Sequence, residues 1–260
     1  MSEQTANRTA KDAPLSAVEL TGRVRTHVGE IAELRCVLHP QAGAALRAMR
    51  AAAARDGLDL WPVSGFRDFA HQLAIWNAKY RGERPLLDRN SLPLRSAELR
   101  GADRIAAILI WSALPGASRH HWGSECDVID RRALASATKV ELLSADFAAG
   151  GRYAPLADWL AAHARGFGFF HPYDRDRGGV QPEPWHLSFA PVALPALQSM
   201  SPAILSEALA GAARQGALLE GYEAVMPRLE ALFERYVAAV AAPPEAALAA
   251  AELSRAARPA

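Results

Sequence analysis

Two short stretches of this 260-residue chain concentrate the side chains that perform hydrolytic chemistry. "SRHHWGSECD", Ser118 to Asp127, holds two histidines and two acids around a glycine, and "EPWH", Glu183 to His186, adds another acid and another histidine. A catalytic zinc takes three protein ligands from His, Asp, Glu and Cys and keeps one position for water. His120, Asp127 and His186 can supply such a set. Glu183 would then lean over the attacking water as general base and pass the proton to a leaving amine.

Spacing sets a condition on that reading. If 118–127 were one helix, His120 and Asp127 would stand ~10.5 Å apart; in one strand they would be further apart and on opposite faces. The chain must double back between them, and Gly123 is the residue able to make the turn. Pro184 pushes Glu183 into extended backbone and excludes a helix interior there. A regular strand would throw Glu183 and His186 to opposite faces, so the backbone must deviate around Pro184. Neither cluster has a helical signature of the HExxH type, so spacing alone leaves ordinary structural roles open for these residues.

The elements that must position the two clusters can be traced along the chain. "QAGAALRAMRAAAARDG", Gln41 to Gly57, reads as an alanine-driven helix with a glycine stop, and "LDLWPV" after it as a strand. A second helix is expected from about Asp68 to Tyr80, and a third over "SAELRGADRIAAILIW" with Ser96 as its cap. "ECDVID", Glu125 to Asp130, reads as a short strand. A fourth helix is expected from near Pro155 to near Gly166, then two strands, "FGFF" and "PEPWHLSF", around the turn "DRDRGG". From Ala203 to Ala242 the pattern is helical, with a break near Gly216. The expected organisation is a disordered leader over 1–14, a working domain over 15–195 and a C-terminal helical extension over 196–260.

Composition excludes several classes. Half the residues are hydrophobic and the net charge is +1, which gives no case for a nucleic-acid surface or an acidic tail. No run reaches the ~18 apolar residues of a membrane span. The polar start has no apolar h-region, so as written the chain is expected to be cytoplasmic, or periplasmic if the true start or export route lies outside it. Cys36 and Cys126, the two cysteines, are expected to be free and buried.

The motifs resemble a family. "SRHHWGSECD" is similar to the SxHxxGxxxD motif of the VanY-type D-alanyl-D-alanine carboxypeptidases, of the LAS group of zinc peptidases, and "EPWH" to their ExWH motif. "SGFR", Ser64 to Arg67, matches the upstream SGYR element. The resemblance spans about Leu58 to Phe189. It implies an α+β fold of the hedgehog/D-Ala-D-Ala peptidase type, with a small, mostly antiparallel sheet flanked by helices. It implies one Zn2+ held by His120, Asp127 and His186, with Glu183 as base and Arg67 as oxyanion stabiliser. Ser118 would hold substrate or the ligand loop and Gln72 would help bind the substrate, a peptidoglycan stem peptide or muropeptide; Trp185, beside the second cluster, is expected to wall the substrate pocket. An endopeptidase of the same group and a non-catalytic zinc-bearing wall-binding module are the alternatives; a purely structural zinc would need neither Glu183 nor Arg67.

Two positions depart from the motifs. Phe66 replaces the tyrosine of SGYR. Glu125 stands where alanine is common, and period-two alternation puts it on the face of Asp127, so its charge is expected to face the site and tilt substrate choice. Cys126 should point the other way, into the core. His121, beside a ligand candidate, should orient a neighbour of the metal site or meet solvent. His27, His39, His71, His163 and His171 carry no pairing signal.

Overall fold

The structure is a computed structural model and describes residues 14–134 and 140–256. The expected leader, save Pro14, lies outside the described residues. The architecture is α+β. A four-stranded antiparallel sheet runs in the order β3-β4-β6-β5, with a two-stranded antiparallel ribbon, β1-β2, beside it. The strands are β1 (Gly29–Ile31), β2 (Cys36–Leu38), β3 (Leu60–Ser64), β4 (Glu125–Asp130), β5 (Phe169–Phe170) and β6 (His186–Phe189). The first half carries helices α1 (Ala17–Leu20), α2 (Pro40–Arg55), α3 (Phe69–Arg81) and α4 (Gly101–Leu109). The second half adds α5 (Ser144–Phe147), α6 (Ala154–His163), α7 (Ala190–Ser199), α8 (Pro202–Arg214), α9 (Tyr222–Val225), α10 (Leu229–Phe233) and α11 (Glu245–Ala256). Among the described residues no helix is long and apolar enough to cross a membrane.

Local signals account for most boundaries. Pro40 occupies the first turn of α2, where its missing N–H costs nothing, and Leu46, Met49 and Ala53 recur at helical spacing on its buried face. Asp68 caps α3 by accepting from His71 N at 2.7 Å, and left-handed Gly82 ends it. The third helix differs from expectation. Ser96 opens only one 3-10 turn and makes no side-chain cap. Leu99 and Arg100 are extended, so the helix begins at Gly101.

The sheet register creates the site. Asp127 pairs with His186 across β4 and β6, and Glu125 pairs with Ser188. Directly opposed residues share a face, as do residues two apart, so these four polar side chains form one patch. Cys126 and Leu187 alternate to the other face and join an apolar cluster with Leu46 and Met49 of α2 and Leu156 and Leu160 of α6. Both cysteines are free and buried. A register shift between Pro62 and Ser64 sets Ser64 opposite Asp127, which delivers the Gly65–Arg67 segment to the same patch.

A second apolar cluster lies among the helices. Phe69 and Trp76 of α3, Ile105 and Ile108 of α4, Leu205 and Leu209 of α8 and Phe233 of α10 all belong to it. Trp76 Nε1 donates to Glu220 O at 2.9 Å and Glu220 N donates to Asn77 Oδ1 at 2.9 Å. The helices beyond residue 195 are thus joined to α3 by packing and by hydrogen bonds.

Candidate metal centre

The two sequence clusters meet. One ligand atom from each of His120, Asp127 and His186 lies within 4.8 Å of the others, and all three residues are buried. His120 rides on a 3-10 turn, Arg119–Trp122, that ends at left-handed Gly123. This is the reversal the spacing requires. Gly123 is fixed there on two counts: its φ is +66°, and a Cβ would stand 2.4 Å from Val28 Cγ1 and 2.8 Å from His39 N. His186 opens β6 directly after the bend at Pro184, with its N–H donating to Glu183 O at 3.0 Å. That local turn brings Glu183 Oε2 to 3.3 Å from His186 Nδ1.

Hydrogen bonds on the outer side of each ring decide which nitrogen faces inward. His120 Nδ1 lies 2.7 Å from Gly65 O, and a carbonyl only accepts, so Nδ1 carries the proton and Nε2 presents a lone pair. Gly65 permits this approach: a Cβ there would meet Cys36 Sγ at 2.3 Å and Val37 O at 2.6 Å. His186 Nε2 lies 2.8 Å from Glu125 Oε2, so Nε2 donates and Nδ1 is left facing inward. Between the rings stands Asp127, with Oδ2 at 3.5 Å from His120 Nε2 and Oδ1 at 3.2 Å from His186 Nδ1. Asp127 Oδ1 is buried and receives no hydrogen bond. Two inward-facing imidazole nitrogens and a carboxylate oxygen converging on one point call for a positive charge, which a metal cation or a proton can supply. Nitrogen and oxygen donors of this mixture suit zinc.

Electrostatics agree with that requirement. Burial pushes His120 down to about 3, against the pull of Asp127, so its ring is neutral and available at neutral pH. Burial would raise Asp127, but His120, His186 and Arg67 outweigh it and hold the carboxyl at about 2. Burial also opposes charge on His186, yet the neighbouring carboxylates of Asp127, Glu125 and Glu183 raise it well above the ordinary histidine value.

Glu125 is where the structure differs from the expectation that its charge faces substrate. The side chain is fully buried and lies behind His186. Besides His186 Nε2 it accepts from Ser124 Oγ and Ser188 Oγ, each at 2.8 Å. Arg119 Nη2 is 3.3 Å from Glu125 Oε1 and donates to Ser188 Oγ at 2.6 Å. Burial would raise this carboxyl; Arg119 and His186 bring it down to about 2. Diagonal reach across β4 and β6 turns the shared face into an anchor for the ring rather than a wall of the substrate site.

The remaining expected residues divide by how open they are. Arg67 is half-buried, donating from Nη1 to Gln72 Oε1 at 2.8 Å and from Nη2 to Ser64 Oγ at 3.3 Å. Burial lowers its guanidinium from the ordinary value, while Asp127 and Glu183 hold it up. Gln72 is fully buried: its oxygen takes Arg67 and its amide reaches Ala113 O at 2.8 Å, so it supports Arg67. Ser118 is buried at the start of the turn that carries His120. Trp185 is buried, stacked on Trp111 at 6.2 Å and tilted against Phe147 at 5.6 Å.

Three further residues stand out in the structure: His121, expected to orient a neighbour or meet solvent, and Arg119 and Tyr173, which carried no signal in the sequence. His121 is buried, with Nδ1 2.6 Å from Arg67 O and Nε2 accepting from Gly116 N at 3.0 Å; it fixes the backbone that presents Arg67. Arg119 was one unremarked letter inside the first motif. Tyr173 places its ring 5.1 Å from that of His186, edge to face, and burial pushes its phenol up to about 12. Only the β4–β6 register could have revealed Arg119 and Ser188 as partners of Glu125.

Comparison with known proteins gives a consistent result. The family model described as VanY, D-alanyl-D-alanine carboxypeptidase, matches residues 35–192. An uncharacterized protein of Haemophilus influenzae is 33% identical over 126 residues, which cover 48% of this chain and 92% of that relative. Among solved structures, VanYB in complex with D-alanine-D-alanine aligns with a TM-score of 0.47 at 20% identity, over 77% of this chain and 90% of its own. A mutant of the vancomycin resistance D,D-pentapeptidase VanY in complex with Zn(II) aligns at 0.48 and 20% identity, over 81% and 93%.

Proposed function

The chain belongs to the VanY family of D-alanyl-D-alanine carboxypeptidases, and from that premise we propose that it is a zinc-dependent D,D-carboxypeptidase acting on peptidoglycan stem peptides. The observation that supports the reading most is the inward convergence of His120 Nε2, His186 Nδ1 and the unpartnered Asp127 Oδ1 beside Glu183. When bound by these three side chains, zinc supplies Lewis acidity toward water and the scissile carbonyl.

The chain's own groups divide the remaining work. Glu183 takes the proton of the attacking water and returns it to the amine nitrogen as the peptide bond breaks. Its backbone and side chain are tied to His186, which keeps the base beside the ligand set. Arg67 has five N–H donors, of which Gln72 and Ser64 engage two; the others meet the negative charge that grows on the carbonyl oxygen. Because Gln72, Ser64 and His121 fix the guanidinium and its backbone beforehand, little reorganisation is left for the reaction itself.

The direct test is to load the purified protein with zinc, present a muropeptide ending in D-alanyl-D-alanine, and follow released D-alanine by mass spectrometry. Release of the terminal residue is expected. Glu183→Gln is expected to keep one zinc per chain and to lose turnover by roughly 10²–10⁴-fold, the span of general-base catalysis. Bound zinc without cleavage of any D-amino-acid peptide would overturn the activity, and full activity in Glu183→Gln would overturn the base.

A further inference from the structure

Beside the proposed catalytic groups lies a second set of cations that the reaction above does not use. Lys79, in the last turn of α3, and Arg84, just beyond it, line a cavity of about 450 Å3 together with Leu86, Ala107 and Trp111. Lys79 Nζ donates to Trp111 O at a long 3.4 Å, which leaves two of its three N–H groups free of that bond. Among the described residues no carboxylate forms a salt bridge with Lys79 or Arg84. The cavity adjoins the metal centre: Trp111 stacks on Trp185, the residue before His186, and Ser112, next to Trp111, lies 3.4 Å from the Gln72 amide that supports Arg67.

Placing these charges together is unfavourable unless something offsets it. Burial, with Arg84 and Arg67 acting in the same direction and Glu183 against it, pushes the Lys79 ammonium down to about 8. A lysine serving only the end of a helix would extend to water near the last carbonyls; this one folds its ammonium onto the cavity wall. The shape indicates what is missing. At ~30 Å3 of liquid volume per water molecule, the space exceeds a bare carboxylate several times over, and Leu86, Ala107 and Trp111 give it apolar sides. A methylene stem ending in a carboxylate satisfies both features.

We propose that this cavity is a specificity subsite for an acidic side chain of the peptide substrate, whose carboxylate is held by Lys79 and Arg84. The proposal rests on the peptidase reading, so its test includes binding as well as turnover. Matched peptides ending in D-alanyl-D-alanine would carry, at each of the positions preceding the cleaved bond in turn, an acidic residue or its carboxamide. A further pair would differ only in amidation of the C-terminus. Binding is measured by calorimetry on zinc-loaded Glu183→Gln protein, and kcat/KM on the zinc-loaded wild-type protein.

At one position the acid is expected to bind roughly 10–100-fold more tightly than the carboxamide, the range of a charge-assisted hydrogen bond. Lys79→Met and the exposed-site change Arg84→Met should each bring that ratio toward one. Equal binding of acid and carboxamide at every position would overturn the subsite. So would variants that weaken both peptides alike, or a charge preference confined to the C-terminal carboxylate. An acid preference that depends on Lys79 and Arg84, in a protein that cleaves neither peptide, would uphold the subsite and count against the peptidase reading alone.

Discussion

The surroundings of His186 and those of Lys79 are two polar regions a short distance apart, built on opposite terms. Around His186 the ring is held from behind by a connected network: Nε2 meets Glu125, Glu125 meets Ser124 and Ser188, and Arg119 Nη2 is shared between Glu125 and Ser188. Left without hydrogen-bond partners are the inward Asp127 Oδ1 and, behind the ring, Arg119 Nε and Nη1. In the Lys79 cavity an ammonium rests on one long bond and Arg84 has no carboxylate partner among the described residues. The first arrangement orients two ring nitrogens and a carboxylate toward one point where a metal ion could sit. The second leaves charge for a ligand that arrives and departs. Substitutions in the two regions should therefore differ in kind: loss of metal and stability in one, loss of discrimination in the other.

The largest effect is expected at Asp127. Asp127→Ala removes the acidic member of the proposed ligand set and leaves two imidazoles, so zinc content measured by elemental analysis should fall to background and activity with it. Retention of one zinc per chain would break the assignment of the ligand set. Arg67→Ala comes next: zinc content should be kept while kcat falls by roughly 10²–10³-fold, as when a fixed oxyanion donor is deleted. A rise in KM with kcat unchanged would move Arg67 from the reaction to ground-state binding.

Glu125 separates the two regions most sharply. Glu125→Ala should lower zinc affinity by about 10–100-fold, the cost of removing the group that orients a ligand histidine. It also strands buried Arg119, a loss on the order of 3–5 kcal/mol for an uncompensated charge, visible in denaturant unfolding. Glu125→Gln keeps an acceptor for His186 Nε2 and should recover most of the affinity. If Glu125→Ala instead left zinc affinity and stability intact and altered only the choice of peptide, the residue would face substrate after all.

The convergence of His120, Asp127 and His186 was legible in the sequence because these residues sit at or beside backbone irregularities that leave letters behind. Gly123 marks the reversal after His120, Pro184 marks the bend before His186, and Asp68 and Gly82 bracket the helix that carries Gln72. The alternation in "ECDVID" correctly gave Glu125 and Asp127 one face and Cys126 the other. What alternation cannot give is the partner strand. Whether Glu125 looks outward to solvent or across to His186 depends on β4 and β6 pairing with Asp127 opposite His186, a long-range fact with no local mark. Ser96 misled for a related reason. A serine before an acidic turn is a sound local cap signal, but the chain stays extended at Leu99 and Arg100, and the Arg104 guanidinium draws this loop together by donating to Leu99 O and Ser96 O. Lys79 carried no signal either, since a lysine in the last turn of a helix is what the helix dipole favours anyway.

The smallest expected effect is a pH dependence that belongs to Lys79. The free ammonium is held down to about 8, by burial first and then by Arg84 and Arg67, with Glu183 opposing. A carboxylate bound beside it favours the charged form and raises that value in the complex. Affinity for the acidic peptide should therefore be full below pH 8 and decline as pH rises through the free Lys79 value, by at most about tenfold per pH unit until the bound value is reached. The two arginines keep their charge across this range, so the decline does not run to zero. Titrations of zinc-loaded Glu183→Gln protein from pH 6 to pH 9 would show it, with the decline starting lower there because that variant removes the carboxylate that holds Lys79 up, and with the carboxamide peptide as reference for changes at the metal centre. The acid-specific decline should vanish in Lys79→Met. An equal decline for both peptides would assign the pH effect to the metal-facing groups and leave the Lys79 cavity with no part in it.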